Sequence, residues 1–123
     1  MIHPNKSVLI NKLRCLRVWE HAHLPTYGSE AGYALLMELA CLETSKEVNL
    51  KSIYLSIPYA ESTLRLLIRN LEDDGYIVMP KDQQDNRTRV LIPTPKFQSL
   101  VKKWNKKIAS CFASETDTHT FQG

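Results

Sequence analysis

At 123 residues and 43% hydrophobic content, the chain has the length and apolar fraction of one ordinary domain with one core. A formal charge of +3 is too mild to announce a polyanionic partner by composition alone. No run approaches the roughly 18 to 20 apolar residues of a membrane span and no signal-peptide core opens the chain, so a cytoplasmic protein is expected.

From Lys6 to about Ala22 the residues Leu9, Leu13 and Leu16, flanked by Ile10, Val18 and Trp19, predict a helix with a wide apolar stripe, packed on more than one neighbour. His23-Leu24-Pro25-Thr26-Tyr27-Gly28 ends it. Ser29 followed by Glu30 predicts a capped start for a second, central helix reaching about Thr44, with Leu35, Leu36, Leu39, Ala40 and Leu42 as its apolar band. Val48, Leu50, Ile53 and Leu55 then predict a short helix, and Ser56-Ile57-Pro58 a turn.

A further helix is expected from about 59 to 74. Leu64, Leu67, Ile68 and Leu71 recur at the spacing of one buried face, leaving Glu61, Ser62, Arg65 and Arg69 on the other. Gly75 stops it. The acids Glu72, Asp73 and Asp74 stand at its C-terminal end, against the helix dipole. Tyr76-Ile77-Val78-Met79 and Arg89-Val90-Leu91-Ile92 are two β-prone runs joined by a wholly polar connection from Pro80 to Thr88, a hairpin over about 78–92. Pro93-Thr94-Pro95 opens a last helix with Phe97, Leu100, Val101, Trp104, Ile108, Cys111 and Phe112 on one face and Lys102, Lys103, Lys106 and Lys107 opposite. The expected domain is 1–114, with 115–123 a flexible tail.

The order helix, turn, helix, strand, hairpin, strand is a winged helix-turn-helix, so the expected fold class is mainly α with a small β-hairpin wing. Charge agrees with this. Between residues 50 and 107 eleven basic residues stand against six acidic ones, a balance of +5 that exceeds the chain's own +3. Tyr59, Glu61, Ser62, Thr63, Arg65, Arg69, Lys81, Asp85, Arg87 and Arg89 are the expected DNA-facing residues. Arg65 can pair with guanine in the major groove or with Glu61 one turn back. Tyr59, Ser62 and Thr63 offer hydroxyls to DNA or to the helix start. The apolar faces at both ends exceed what one small domain covers, so Leu9, Leu13, Leu16, Phe97, Leu100, Val101, Trp104 and Ile108 are expected to form a homodimer interface.

Cys15, Cys41 and Cys111, odd in number and each in an amphipathic pattern, are expected to be buried, reduced thiols, redox sensing being the minor alternative. His21 and His23, two apart at a helix end, do not suit a metal pair. With no phosphate loop, paired carboxylates or nucleophile motif, neither enzymatic activity nor a cofactor is expected.

Leu71-Glu72-Asp73-Asp74-Gly75-Tyr76-Ile77, with Asp82 to Thr94 after it, resembles the wing region of MarR-type transcriptional regulators, and the likeness extends over about Leu35 to Trp104. Asp85, Arg87 and Thr94 match the family's aspartate, second arginine and threonine, while Asn86 and Pro93 replace its first arginine and its leucine. The resemblance implies a homodimeric regulator, usually a repressor, with Arg87 entering a minor groove and a palindromic double-stranded site. It also implies a small-molecule effector whose identity the sequence does not specify. A winged module for replication or phage DNA, and a winged helix for protein contact exposing Leu66, are the alternatives.

Overall fold

A computed structural model of the chain describes residues 4–42, 46–81 and 89–113, with side chains from residue 7 onward. In order, the elements are α1 (Pro4–His23), α2 (Glu30–Cys41), β1 (Val48–Asn49), α3 (Leu50–Ser56), α4 (Glu61–Asp73), β2 (Ile77–Val78), β3 (Val90–Pro93) and α5 (Pro95–Phe112). This is a winged helix-turn-helix, mainly helical with one small antiparallel sheet. By contact the chain divides into two compact units. One spans Pro25–Val101; the other joins the stretch ending at Leu24 to the stretch beginning at Lys102. Among the described residues no helix is long and apolar enough to cross a membrane. The expected tail, 115–123, lies outside the described residues.

In the Pro25–Val101 unit, α2 packs on α4, and Leu35, Leu36, Leu39, Leu64, Leu71 and Phe97 are closed to solvent. Ser29 caps α2 as expected, its hydroxyl accepting the Gly32 amide at 2.9 Å. Gly32 is there for space: a Cβ at this position would lie 2.1 Å from the Thr26 carbonyl oxygen. The helix ends at Cys41, three residues before the expected Thr44, which is outside the described residues.

Val48, expected within the next helix, instead pairs with Leu91 across an antiparallel ladder, so β1 is a third strand at the edge of β3. Asn49 explains the switch: its side chain accepts the Ser52 amide at 3.2 Å and starts α3 one residue later. Leu55, expected on the apolar side of that helix, is exposed. The second helix of the helix-turn-helix, α4, starts at Glu61 rather than near Tyr59, and its N-cap is Ala60, so neither Tyr59, Ser62 nor Thr63 caps it.

The end of α4 is closed by backbone. Gly75, at φ +83°, lets its own amide reach Glu72 O at 3.0 Å and the Tyr76 amide reach Leu71 O at 2.9 Å. Asp74 has a tertiary role that the helix dipole argument misses: its carboxylate accepts from the Tyr27 hydroxyl at 2.5 Å and its carbonyl from Lys96 Nζ at 2.6 Å. β2 and β3 then pair at Ile77↔Pro93 and Val78↔Ile92. Thr94 ties hairpin to α5. Its Oγ1 lies 2.7 Å and 3.0 Å from the carbonyl oxygens of Gly75 and Tyr76 and accepts the Phe97 amide at 3.4 Å.

The second unit is built from α1 and the later turns of α5. Its pin is polar: Trp104 Nε1 donates to Glu20 Oε2 at 2.7 Å, with Glu20 buried and Arg17 3.7 Å from its other oxygen. A buried carboxylate needs such donors, because desolvating a charge without them costs several kcal/mol at roughly the scale of a whole domain's stability. Leu16, Trp104 and Cys111 are buried as well. Cys15 and Cys41 are exposed, against the expectation of three buried thiols. The apolar stripe of α1 is wide for its length, so spacing alone could not say which side the chain itself covers.

Candidate nucleic-acid interface

Helix α4 presents the two faces its spacing predicts. Leu64, Leu67, Ile68 and Leu71 are buried, while Glu61, Ser62, Thr63, Arg65 and Arg69 are exposed. Burying four aliphatic side chains on one face fixes the helix, at about 1.5 to 3 kcal/mol each, and so fixes the azimuth of the arginines.

Arg65, Arg69 and Arg89 line one open cleft of about 400 Å³ together with Tyr54, Glu72 and Met79. Its walls come from α3, α4, the residue after β2 and the residue preceding β3, all in the Pro25–Val101 unit. Three arginines and one carboxylate are among its lining residues, a balance of charge that suits an anion. Arg65 forms the ion pair with Glu61 that the i, i+4 spacing allows, and its guanidinium carbon stands 5.9 Å from the centre of the Tyr54 ring. The pair is solvent-facing, with the two side chains 66% and 50% exposed, so it orients Arg65 at little cost to break.

Arg89 is placed by backbone. Its carbonyl accepts the Leu50 amide at 3.0 Å, which joins the start of β3 to the start of α3 and brings Arg89 to the cleft. Lys81 is exposed just before the wing tip, and Tyr59 is exposed in the turn between α3 and α4, where its amide donates to Ile57 O at 2.8 Å. Asp85 and Arg87 lie outside the described residues. Tyr54 and Met79 are cleft residues that sequence reasoning missed. Tyr54 follows the buried Ile53 and is half-buried at the cleft wall, a position that reads only as helix until β3 is in place.

The expected interface residues divide. Leu9, Leu13 and Ile108 are exposed, Leu100 and Val101 are half-buried, and Leu16, Phe97 and Trp104 are buried by the chain itself. Val8, Ile10 and Val18 join the exposed apolar side of α1. His23 stacks on Trp19 with ring centres 4.6 Å apart, and its Nδ1 lies 2.9 Å from the Trp19 carbonyl oxygen. Among the described residues no three His, Cys, Asp or Glu side chains are grouped to hold a metal ion.

No protein-family profile and no curated protein sequence matches the chain. Solved structures do. Disulfide-formed AbfR is 21% identical with a TM-score of 0.63, over 94% of this chain and 77% of that one. The transcriptional repressor CouR bound to a 23-mer DNA duplex is 19% identical with a TM-score of 0.57, over 85% of this chain and 71% of that one. MarR is 20% identical with a TM-score of 0.52, over 98% of this chain and 90% of that one. The chain therefore has the winged-helix fold of MarR-type regulators.

Proposed function

We propose that this protein is a sequence-specific, double-stranded DNA-binding transcriptional regulator, a repressor that acts by occupying its site. The observation that carries this reading is the cleft in which α4 and the base of the wing aim Arg65, Arg69 and Arg89 outward on a rigid apolar support. CouR, which shares the fold, was solved on a DNA duplex. In this reading α4 enters the major groove and the wing reaches the flanking minor groove, where Arg87 meets the negative potential and Asp85 holds the wing arginines. Arg65 reads bases, with Glu61 presenting it, and Ser62, Thr63, Tyr59, Arg69, Lys81 and Arg89 hold phosphates.

The protein works as a homodimer. Leu9, Leu13 and Ile108 form the accessible part of the interface, with Leu100 and Val101 at its margin. Two-fold pairing sets the α4 helices roughly 34 Å apart and demands a palindromic site. A small effector would bind among the same terminal helices.

Selection of bound sequences from a random duplex pool tests this, followed by titration of the selected duplex at two salt concentrations. The expected result is an inverted-repeat consensus whose affinity falls steeply with salt. A second reading, protein contact through the winged helix, is favoured by Leu55 and Leu66, which are 78% and 58% exposed. Salt-independent failure to bind any duplex would select it. Binding without sequence preference would instead select a replication or phage-type module.

A further inference from the structure

Leu66 is 58% exposed on a helix whose other outward side chains are polar or charged. Because α4 buries Leu64, Leu67, Ile68 and Leu71, the line opposite them carries Ser62, Leu66, Arg69 and Asp73, spaced by four, three and four residues. The arginine cleft takes up one flank of the helix, where Arg65, Ile68, Arg69 and Glu72 line it, and Leu66 stands past Arg69 on the crest. Asp73 ends the helix beside Glu72 and Asp74 and is repelled by phosphate. The part of the crest that suits a duplex is therefore Ser62, Leu66 and Arg69.

Leucine has neither a donor nor an acceptor. Pressed on a polar base edge it displaces water and returns no hydrogen bond, which leaves the base group unpaired. The major groove offers one apolar feature, the 5-methyl group of thymine, whereas cytosine shows an amino donor and no methyl. Resting on the DNA-binding reading above, we infer that Leu66 is a specificity-determining residue of α4, selecting thymine at one position of the bound site by burying its 5-methyl group. A single exposed leucine is common on protein surfaces; what assigns this one is its place on the crest between Ser62 and Arg69. The selection works by difference, since thymine gains apolar burial against Leu66 while cytosine at the same place loses water from its amino group. The contact releases no counterion, so it adds preference without adding to the salt dependence that Arg69 and Lys81 supply.

The test uses the full chain and the duplex selected from the random pool. Each thymine is replaced in turn by deoxyuridine, which removes the methyl group and keeps every donor and acceptor, and parent and Leu66→Ala are titrated on each duplex at one salt concentration. For the parent, uracil at one position is expected to lower affinity about four-fold, the scale of one buried methyl group. Leu66→Ala changes an exposed side chain to the best helix former, so its fold should survive. This variant is expected to bind the uracil and thymine duplexes equally at that position and to select cytosine and thymine alike there. Arg69→Ala should bind every duplex more weakly and keep the parent's response to uracil. Comparing side chain and methyl group in one double-mutant cycle cancels what uracil does to the duplex itself. A parent insensitive to uracil at every position, or an equal response in parent and Leu66→Ala, would overturn the inference and leave DNA binding in place. A parent that binds no duplex would instead remove the DNA-binding reading, and the inference with it.

Discussion

The two units of this chain handle apolar surface differently. The winged unit closes most of its apolar surface: Leu35, Leu36, Leu39, Leu64, Leu71 and Phe97 are closed to solvent, and what α4 leaves outside is mostly charged, Leu66 excepted. The unit of α1 and the later α5 does not. It pins itself with Glu20 and Trp104 and leaves Val8, Leu9, Ile10, Leu13 and Val18 facing water. Exposed arginines are stable in solvent and wait for an anion, whereas an exposed aliphatic stripe is a standing cost until something covers it. One region therefore suits an occasional anionic partner, and the proposed dimer would give the other a resident one.

Gly32→Ala gives the largest effect, because it strikes the self-contained unit where it cannot yield. The new methyl would press on the Thr26 carbonyl, which is backbone and cannot rotate away. A loss of about 3 kcal/mol or more is expected by chemical denaturation, the upper end for overpacking. An unchanged midpoint would show that the Thr26 turn is loose.

Next in size, Leu9→Glu with Leu13→Glu attacks the incomplete unit. Both side chains are exposed in the single chain, so its fold should survive, and light scattering at micromolar concentration should show a monomer where the parent is expected to be a dimer. Specific DNA binding should disappear with the dimer. A monomeric parent would remove the resident partner from the comparison.

The same contrast explains what the sequence made legible. The faces of α4 could be read because its arginines and leucines separate cleanly at 3.6-residue spacing, and Gly75 was readable as a stop because a left-handed backbone suits glycine. β1 was hidden: two residues are too few to show a period of two, and Val48 fits a helical stripe equally well. In α1 the apolar residues spread over a wide stripe, so Cys15 was assigned to the interior when it is outside. Trp104 was read as interface because its bond to Glu20 joins residues 84 apart, a distance no local pattern reports. For the cleft, Arg65 and Arg69 came from one helix period, while Tyr54 and Met79 needed the fold.

Arg69→Ala, at an exposed side chain, and Arg87→Ala probe the occasional partner, and each is expected to leave stability within about 0.5 kcal/mol. Each is expected to weaken duplex binding by about 1 to 3 kcal/mol and to make it less salt-dependent. Arg65→Ala should in addition relax preference at particular base pairs. An identical selected consensus for Arg65→Ala and parent would leave Arg65 as a surface partner of Glu61 alone.

The smallest effect tests how the winged unit closes on itself. Tyr27 holds a left-handed backbone at φ 55°, uncommon for a residue other than glycine, and its hydroxyl reaches Asp74 across 47 positions of sequence. Tyr27→Phe keeps the ring and deletes that bond, for an expected loss of about 1 kcal/mol at neutral pH. Burial first, then the hydrogen bond to the Asp74 carboxylate, raise the Tyr27 phenol above its ordinary value, with Asp73 and Tyr76 adding to the shift. A raised folded value means that the protonated phenol favours the fold. The contribution is fully present below the unfolded value of about 10 and fades as pH rises above it toward the folded value. Denaturation of parent and variant at neutral and at strongly alkaline pH should therefore show the parent's advantage shrinking with alkalinity, because the unfolded parent alone gains by releasing the Tyr27 proton. An advantage that stayed constant across that range would mean the phenol is as free to ionise in the folded protein as in the unfolded chain, and that Asp74 does not hold it.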